Sequence, residues 1–128
     1  MDMDEVRFYY LRGEKRPFGC VAFVVNDDGT VTRGVSLCSI KDNFDRRRAR
    51  GLAYKRLEKA KSLGRDMKFK EYNYEKASVP LRRITNPMLR EAVAINGFAF
   101  LKTEDKMHFY SGCYHHRPTS LERKISQL

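Results

Sequence analysis

The chain has 128 residues, of which 41% are hydrophobic and 12% aromatic, and this predicts one folded domain over residues 1–128. Its 26 Lys and Arg residues against 16 Asp and Glu residues give a net charge of +10, which favours partners that carry phosphate or other negative charge. An alternative is that the positive charge only keeps the protein soluble. The opening MDMDEVRFYY lacks the pattern of a signal peptide or a membrane span, so we expect a cytoplasmic protein with no membrane association.

Strand patterns occupy the first third of the chain. Residues 6–12 and 19–26 are rich in aromatic and β-branched side chains, and residues 13–17 between them carry turn signals. A glycine-containing turn, Asn26-Asp27-Asp28-Gly29, leads into a third strand at residues 31–38. One face of that strand carries Val31, Arg33, Val35 and Leu37. We therefore predict an antiparallel β-meander.

From Phe44 the hydrophobic period becomes helical. Gly64 supplies a stop signal for this helix, the longest in the chain. The predicted apolar stripe consists of Ala49, Leu52, Ala53, Leu57, Ala60 and Leu63.

The second half of the chain is less regular. Residues 65–80 have no clear period and are expected to form a long irregular arm or a weak strand. Asn86-Pro87 marks a short helix over residues 88–95, which Asn96-Gly97 ends. Residues 98–102 and 107–112 are predicted to form a hairpin, followed by a basic tail with a helical turn. The predicted fold is α+β, with an N-terminal antiparallel β-meander, one long basic helix, a second short helix and a C-terminal hairpin.

The long helix begins with an unusual run of arginines. Arg46, Arg47, Arg48 and Arg50 lie where the helix dipole presents partial positive charge, an unfavourable arrangement unless an anion is bound. Backbone N–H groups and arginine side chains at such a position both bind phosphate oxygens. The alternative is a solvated charge run relieved by Asp42 and Asp45.

Two further arginines lie among apolar positions. Arg56 falls near the centre of the helical stripe, and Arg33 lies on the apolar strand face, so each needs an anionic partner or a pocket. Gly51 within the helix indicates close approach of another backbone or of a ligand. The alternative for Arg56 is a pairing with a carboxylate or an extended side chain that reaches solvent.

The chain contains aromatic residues that can stack on a base, but it has no motif for catalysis. Aromatic residues available to stack on a base include Phe98 and Tyr114, and Arg90 adds charge near the second helix. Cys113, His115 and His116 lack the paired spacing of a metal site. No catalytic motif is present, so we expect a binding protein that is not an enzyme and needs no cofactor. Three scattered cysteines predict free thiols.

The run from Asp28-Gly29-Thr30-Val31 through Arg33-Gly34-Val35-Ser36-Leu37-Cys38-Ser39 to Lys41-Asp42-Asn43-Phe44, followed by a basic helix, resembles phage Thoeris anti-defence proteins of the first family. This resemblance implies an α+β sponge that sequesters cyclic ADP-ribose isomers, or cyclic di- or trinucleotides, without cleaving them. It also implies a homo-oligomer, a dimer or a hexamer, that acts in the cytoplasm of the infected bacterial host. The family's pocket positions correspond to Arg33, Asn96 and Arg117.

The predicted ligand-binding residues are Arg33, Arg50, Arg56, Arg90, Asn96, Phe98, Tyr114 and Arg117. An alternative that also accounts for the positive charge is that the chain is a small nucleic-acid-binding protein whose arginines follow a phosphate backbone. A third is a protein inhibitor that docks its basic helix onto an acidic partner.

Overall fold

The computed structural model describes residues 5–12, 17–37, 45–68, 86–93 and 110–127. The α+β class predicted from the sequence is confirmed, because a sheet and helices occur together in these ranges. In chain order the elements are β1 (Arg7–Arg12), β2 (Pro17–Val25), β3 (Val31–Leu37), α1 (Arg46–Leu63), β4 (Met67–Lys68), α2 (Pro87–Val93), β5 (Tyr110–His116) and α3 (Ser120–Ser126).

The described strands form one antiparallel sheet in the order β1-β2-β3-β5-β4. The predicted meander is present as β1, β2 and β3: Phe8 pairs with Ala22, and Ala22 pairs with Gly34. The predicted turn after β2 is also present. Gly29 there has a φ of +84°, and its N–H donates to the carbonyl of Asn26 at 2.9 Å. A positive φ suits glycine because it has no Cβ.

The long basic helix α1 has a cap at each end. The Asp45 carboxylate accepts a hydrogen bond from the Arg48 N–H at 3.1 Å, and Gly64 ends the helix with a φ of +66°. Ala53, Leu57 and Ala60 are buried as predicted, but Leu52 and Leu63 are 37% and 44% exposed. These two leucines lie about 80–100° around the helix axis from Ala53, outside the stripe that faces the sheet. Among the described helices, none combines the length and apolar character needed to cross a bilayer.

Helix α1 packs on one face of the sheet, over β2, β3 and β5. Gly34 and Gly112 pair across β3 and β5 beneath it. A Cβ at Gly34 would overlap the Ala53 carbonyl oxygen and the Leu57 backbone nitrogen, so the missing side chain permits this close packing. The core on this face contains Val6, Cys20, Ala22, Val24, Ala53 and Leu57. Burial raises the pKa of Cys20 to about 12.

The opposite face of the sheet carries α3, which contacts α2. Tyr9 and Phe23 meet edge-to-face on this side, with ring centroids 5.8 Å apart. Glu122 of α3 is fully buried there against Tyr9 and Arg33. The molecule therefore has helices on both faces of the sheet.

The predictions for the second half of the chain are confirmed in part. The helix after Asn86 is present as α2, and the Asn86 side chain accepts hydrogen bonds from the N–H groups of Met88 and Leu89. The last predicted strand runs further than expected, because β5 continues past Gly112 to His116, and it pairs with both β3 and β4. Its first predicted residues, 107–109, lie outside the described residues. The other predicted hairpin strand, residues 98–102, and most of the 65–80 arm lie outside the described residues.

Candidate functional site

An open groove lies between the edge strand β1 and the first half of α1. It has a volume of about 510 Å³. Its walls combine aromatic rings and arginine side chains with one glycine. The lining residues are Phe8, Tyr10, Arg46, Arg47, Arg50, Gly51 and Tyr54.

The β1 side of the groove follows from strand alternation. Val6, Phe8 and Tyr10 are two residues apart, so they point to the same side of the sheet, the side that α1 covers. Val6 is buried in the core, whereas Phe8 and Tyr10 are half-buried. Because α1 lies over β2, β3 and β5, the outer parts of these two rings remain available at the sheet edge.

The α1 side of the groove places guanidinium groups over those rings. The Arg46 guanidinium carbon is 5.1 Å from the centre of the Tyr10 ring, and the Arg50 guanidinium carbon is 4.5 Å from the centre of the Phe8 ring. Both distances are within the range of cation–π attraction. The first turn of α1 contains no acidic residue. The groove thus presents positively charged hydrogen-bond donors held against aromatic surfaces, which suits phosphate and a planar base.

Arg33 lies on the other face of the sheet and has an internal partner. Its Nε and Nη2 each lie 2.6 Å from an oxygen of the Glu122 carboxylate, and Nη2 also donates to the Arg117 carbonyl at 2.8 Å. Burial opposes the charge on Arg33, but the hydrogen bonds and charge of Glu122 outweigh it and raise the Arg33 pKa. Glu122 therefore supplies the anionic partner that the buried Arg33 requires, and no ligand is needed to neutralise this charge. Among the described residues, no group accepts a hydrogen bond from Arg33 Nη1.

Arg56 and Gly51 also differ from their expected roles. The half-buried Arg56 donates from Nη1 to the Val35 carbonyl at 2.7 Å, so its side chain fastens α1 to β3. A Cβ at Gly51 would meet nothing within 4 Å, and the predicted close approach occurs instead at Gly34. Gly51 lines the groove and leaves space there.

The remaining predicted residues are dispersed. Tyr114 is on β5 beside the C-terminal end of α1, with its ring 4.0 Å from that of His115. The Arg117 side chain is exposed. The backbone of Arg90 lies in α2, while Asn96 and Phe98 fall outside the described residues. Of the predicted set, the structure places Arg50 in the groove.

Sequence reasoning missed the aromatic half of the groove. The sequence predicts phosphate binding at the run that contains Arg46, Arg47 and Arg50, but the stacking rings predicted from it lie in the second half of the chain. The available signals were the two-residue spacing of Phe8 and Tyr10 and the position of Tyr54, one helical turn after Arg50.

The paired histidines of β5 each contact one carboxylate. His115 Nδ1 lies 3.4 Å from the Asp28 carboxylate, and His116 Nε2 lies 2.9 Å from Asp66. Across the described ranges, no group of three or more His, Cys, Asp and Glu side chains is arranged to hold a metal ion. These contacts tie β5 to the β2–β3 turn and to the segment after α1.

Comparisons with known proteins add no family assignment. No protein-family model matches the chain, and no curated protein or solved structure shows significant similarity to it.

Proposed function

We propose that this protein binds a cyclic nucleotide signal in the groove between β1 and α1 and sequesters it without cleaving it. The observation that carries the proposal is the pair of arginines held over aromatic rings, Arg46 over Tyr10 and Arg50 over Phe8. A nucleotide offers both the negative charge that guanidinium groups bind and the flat base that aromatic rings bind.

The size of the groove supports a small ligand. Sites for small molecules usually enclose ~300 to 1,000 Å³. The volume of about 510 Å³ is within that range and suits a ligand of one or two nucleotides.

The charge of α1 supports an anionic ligand. The helix carries eight basic side chains and one carboxylate, that of Glu58. Three arginines near its N-terminus, Arg46, Arg47 and Arg50, line the groove, and the helix dipole there also attracts negative charge. Phosphate bound at this end would relieve the repulsion among the arginines.

The proposal includes an assembly and a location. We propose a homo-oligomer, a dimer or a hexamer, acting in the cytoplasm of an infected bacterial host, as the resemblance to the phage anti-defence sponges implies. Sedimentation at micromolar concentration tests the assembly, and a single species of 15.0 kDa would contradict it.

Calorimetric titration with cyclic ADP-ribose isomers and cyclic dinucleotides tests the binding. We expect Arg46→Ala and Arg50→Ala each to weaken binding about 10- to 100-fold, the effect of losing a hydrogen bond to a charged group. Arg48→Ala is the matched control, because Arg48 is an exposed arginine of the same turns that does not line the groove. Melting curves establish that each variant folds.

Mass spectrometry of the ligand released by heat tests sequestration. The proposal predicts recovery of the intact molecule after prolonged incubation. A hydrolysed product formed by the wild type and not by the groove variants would contradict it.

A nucleic-acid-binding function is the second proposal, and the openness of the groove favours it. An open groove lined by arginines and aromatics can also hold a single strand, whose backbone passes through and continues beyond it. Affinity for single-stranded DNA or RNA that rises with strand length and falls steeply with salt, with no binding of cyclic nucleotides, would favour this alternative.

A further inference from the structure

The two arginine–aromatic pairs of the groove repeat with one spacing. Arg46 and Arg50 are one helical turn apart, a rise of about 6 Å along α1. Tyr10 and Phe8 are two residues apart on β1, a distance of about 6.6 Å. Since Arg46 lies over Tyr10 and Arg50 lies over Phe8, α1 and β1 run in opposite directions with their repeats in register.

Each pair holds one guanidinium group against an aromatic ring. The ring restrains the guanidinium group, so less side-chain freedom is lost when its donors bind an anion. Arg46 and Arg50 are both exposed, and within the described residues neither has a carboxylate partner. The groove therefore presents two arginine side chains whose backbone positions are about 6 Å apart along α1.

The side of α1 that carries Arg46 and Arg50 also carries an aromatic residue one turn further along the helix. Tyr54 is one turn beyond Arg50, lines the groove and is half-buried. The order along the groove is thus a cation at Arg46, a cation at Arg50 and a ring at Tyr54. Gly51, next to Arg50, leaves space beside these side chains.

We infer that the groove selects a phosphodiester-linked nucleotide unit, with one phosphate at Arg46, the next at Arg50 and a base stacked on Tyr54. This inference rests on the nucleotide-binding function proposed above and narrows its ligands to cyclic di- or trinucleotides, because cyclic ADP-ribose isomers carry a pyrophosphate. A phosphodiester linkage separates successive phosphates by a whole ribose, which matches the spacing of the two arginines. In a pyrophosphate linkage the two phosphorus atoms share one bridging oxygen, so both phosphates crowd one arginine and leave the other unused.

Two ligands with the same bases and the same charge test the spacing. Cyclic di-AMP has phosphates separated by ribose, whereas diadenosine diphosphate has adjacent phosphates. Calorimetric titration of the wild-type protein should show cyclic di-AMP binding at least about tenfold more tightly, as expected for one additional charged hydrogen bond. Arg46→Ala should remove most of that preference, and Arg48→Ala should retain it. Equal or tighter binding of diadenosine diphosphate by the wild type would overturn the inference.

Tyr54 gives an independent readout of the position of the base. Tyr54→Ala should weaken cyclic di-AMP about tenfold through lost stacking, and Tyr54→Phe should bind like the wild type. Equal affinity of the alanine variant would overturn the assignment of the base to Tyr54.

Two further results separate this inference from the proposed function. If diadenosine diphosphate binds more tightly through Arg46 and Arg50, nucleotide binding stands and the phosphate spacing is wrong. If neither dinucleotide binds, a single-stranded oligo(dA) is the remaining phosphodiester probe. Binding of that strand that depends on Arg46 and Arg50 would keep the spacing and assign the source to nucleic acid. No binding of these three probes would overturn the inference, and failure of the cyclic ADP-ribose isomers as well would also overturn the proposed function.

Discussion

Arg33 of β3 and Glu122 of α3 form a fully buried ion pair, with Nε and Nη2 each 2.6 Å from a carboxylate oxygen. The same carboxylate accepts hydrogen bonds from the Tyr9 hydroxyl at 3.1 Å and from the Thr119 N–H at 2.9 Å. It thereby completes the capping box at the start of α3 while it neutralises a cation on the sheet. One side chain thus fixes both the beginning of α3 and its position on the sheet.

Removing the carboxylate should destabilise the protein strongly. We expect Glu122→Ala to lower the free energy of unfolding by ~3 to 5 kcal/mol, because it leaves Arg33 charged and buried. Urea denaturation measures this loss. Ligand affinity of the fraction that remains folded should be unchanged, since the pair lies on the face opposite the groove.

The double variant Arg33→Met/Glu122→Leu is the control for that change. It removes both charges together and should be much more stable than the single variant, because no unpaired charge stays buried. A Glu122→Ala protein as stable as the wild type would contradict the structural role of the pair.

Two glycines should respond in opposite directions to the same substitution. Gly34→Ala should destabilise the protein by about 3 kcal/mol or more, because the new Cβ would collide with the backbone of α1, which cannot rotate away. Gly51→Ala adds its Cβ to open space on the same helix and should stabilise the protein by ~0.5 to 1 kcal/mol. Thermal and urea unfolding measure both changes, and a tolerated Gly34→Ala would show that α1 does not pack this closely.

Replacing Asp45 with alanine should lower the stability of the protein and raise its affinity for anions. Its side chain caps α1, so Asp45→Ala should cost about 1 kcal/mol of stability. The same change removes a negative charge next to the arginines of the groove and should tighten anion binding, most clearly at low salt. Asp45→Asn separates the effects, because asparagine retains the cap and lacks the charge. Weaker binding by the asparagine variant would contradict this electrostatic role.

The contact between α2 and α3 should weaken in acid. The backbone N–H and the hydroxyl of Ser120 donate to Glu91 at 3.0 and 2.9 Å and lower the Glu91 pKa from its ordinary value of 4.5. Because the pKa is lower in the folded state, this contribution is complete above the ordinary value and disappears as pH falls through the folded value.

The stability difference between the wild type and Glu91→Gln should therefore be constant above about pH 5 and shrink at lower pH. Ser120→Ala removes the hydroxyl donor and should move the Glu91 pKa back towards its ordinary value, as NMR titration of the carboxyl carbon can measure. An unchanged Glu91 pKa in that variant would contradict the role of the hydroxyl.

The local elements were largely predictable from the sequence. Strand β3, the glycine turn at Gly29 and the caps at Gly64 and Asn86 depend on neighbouring residues, and each is present in the structure. The burial of Leu57 also follows from helical periodicity. Leu52 belongs to the predicted apolar stripe but is exposed, because the width of the buried stripe depends on the surface that the helix meets.

The sequence by itself determined an α+β fold with a basic helix after a meander, and it identified the arginines at the start of that helix as a phosphate-binding candidate. Tertiary structure decided which rings join those arginines and which charges are already neutralised. Phe8 and Tyr10 reach the groove because α1 leaves the edge of the sheet uncovered. Glu122 neutralises Arg33 from 89 residues away in the chain. Periodicity and capping act over a few residues, whereas these contacts depend on how distant elements pack, and local sequence patterns do not specify that packing.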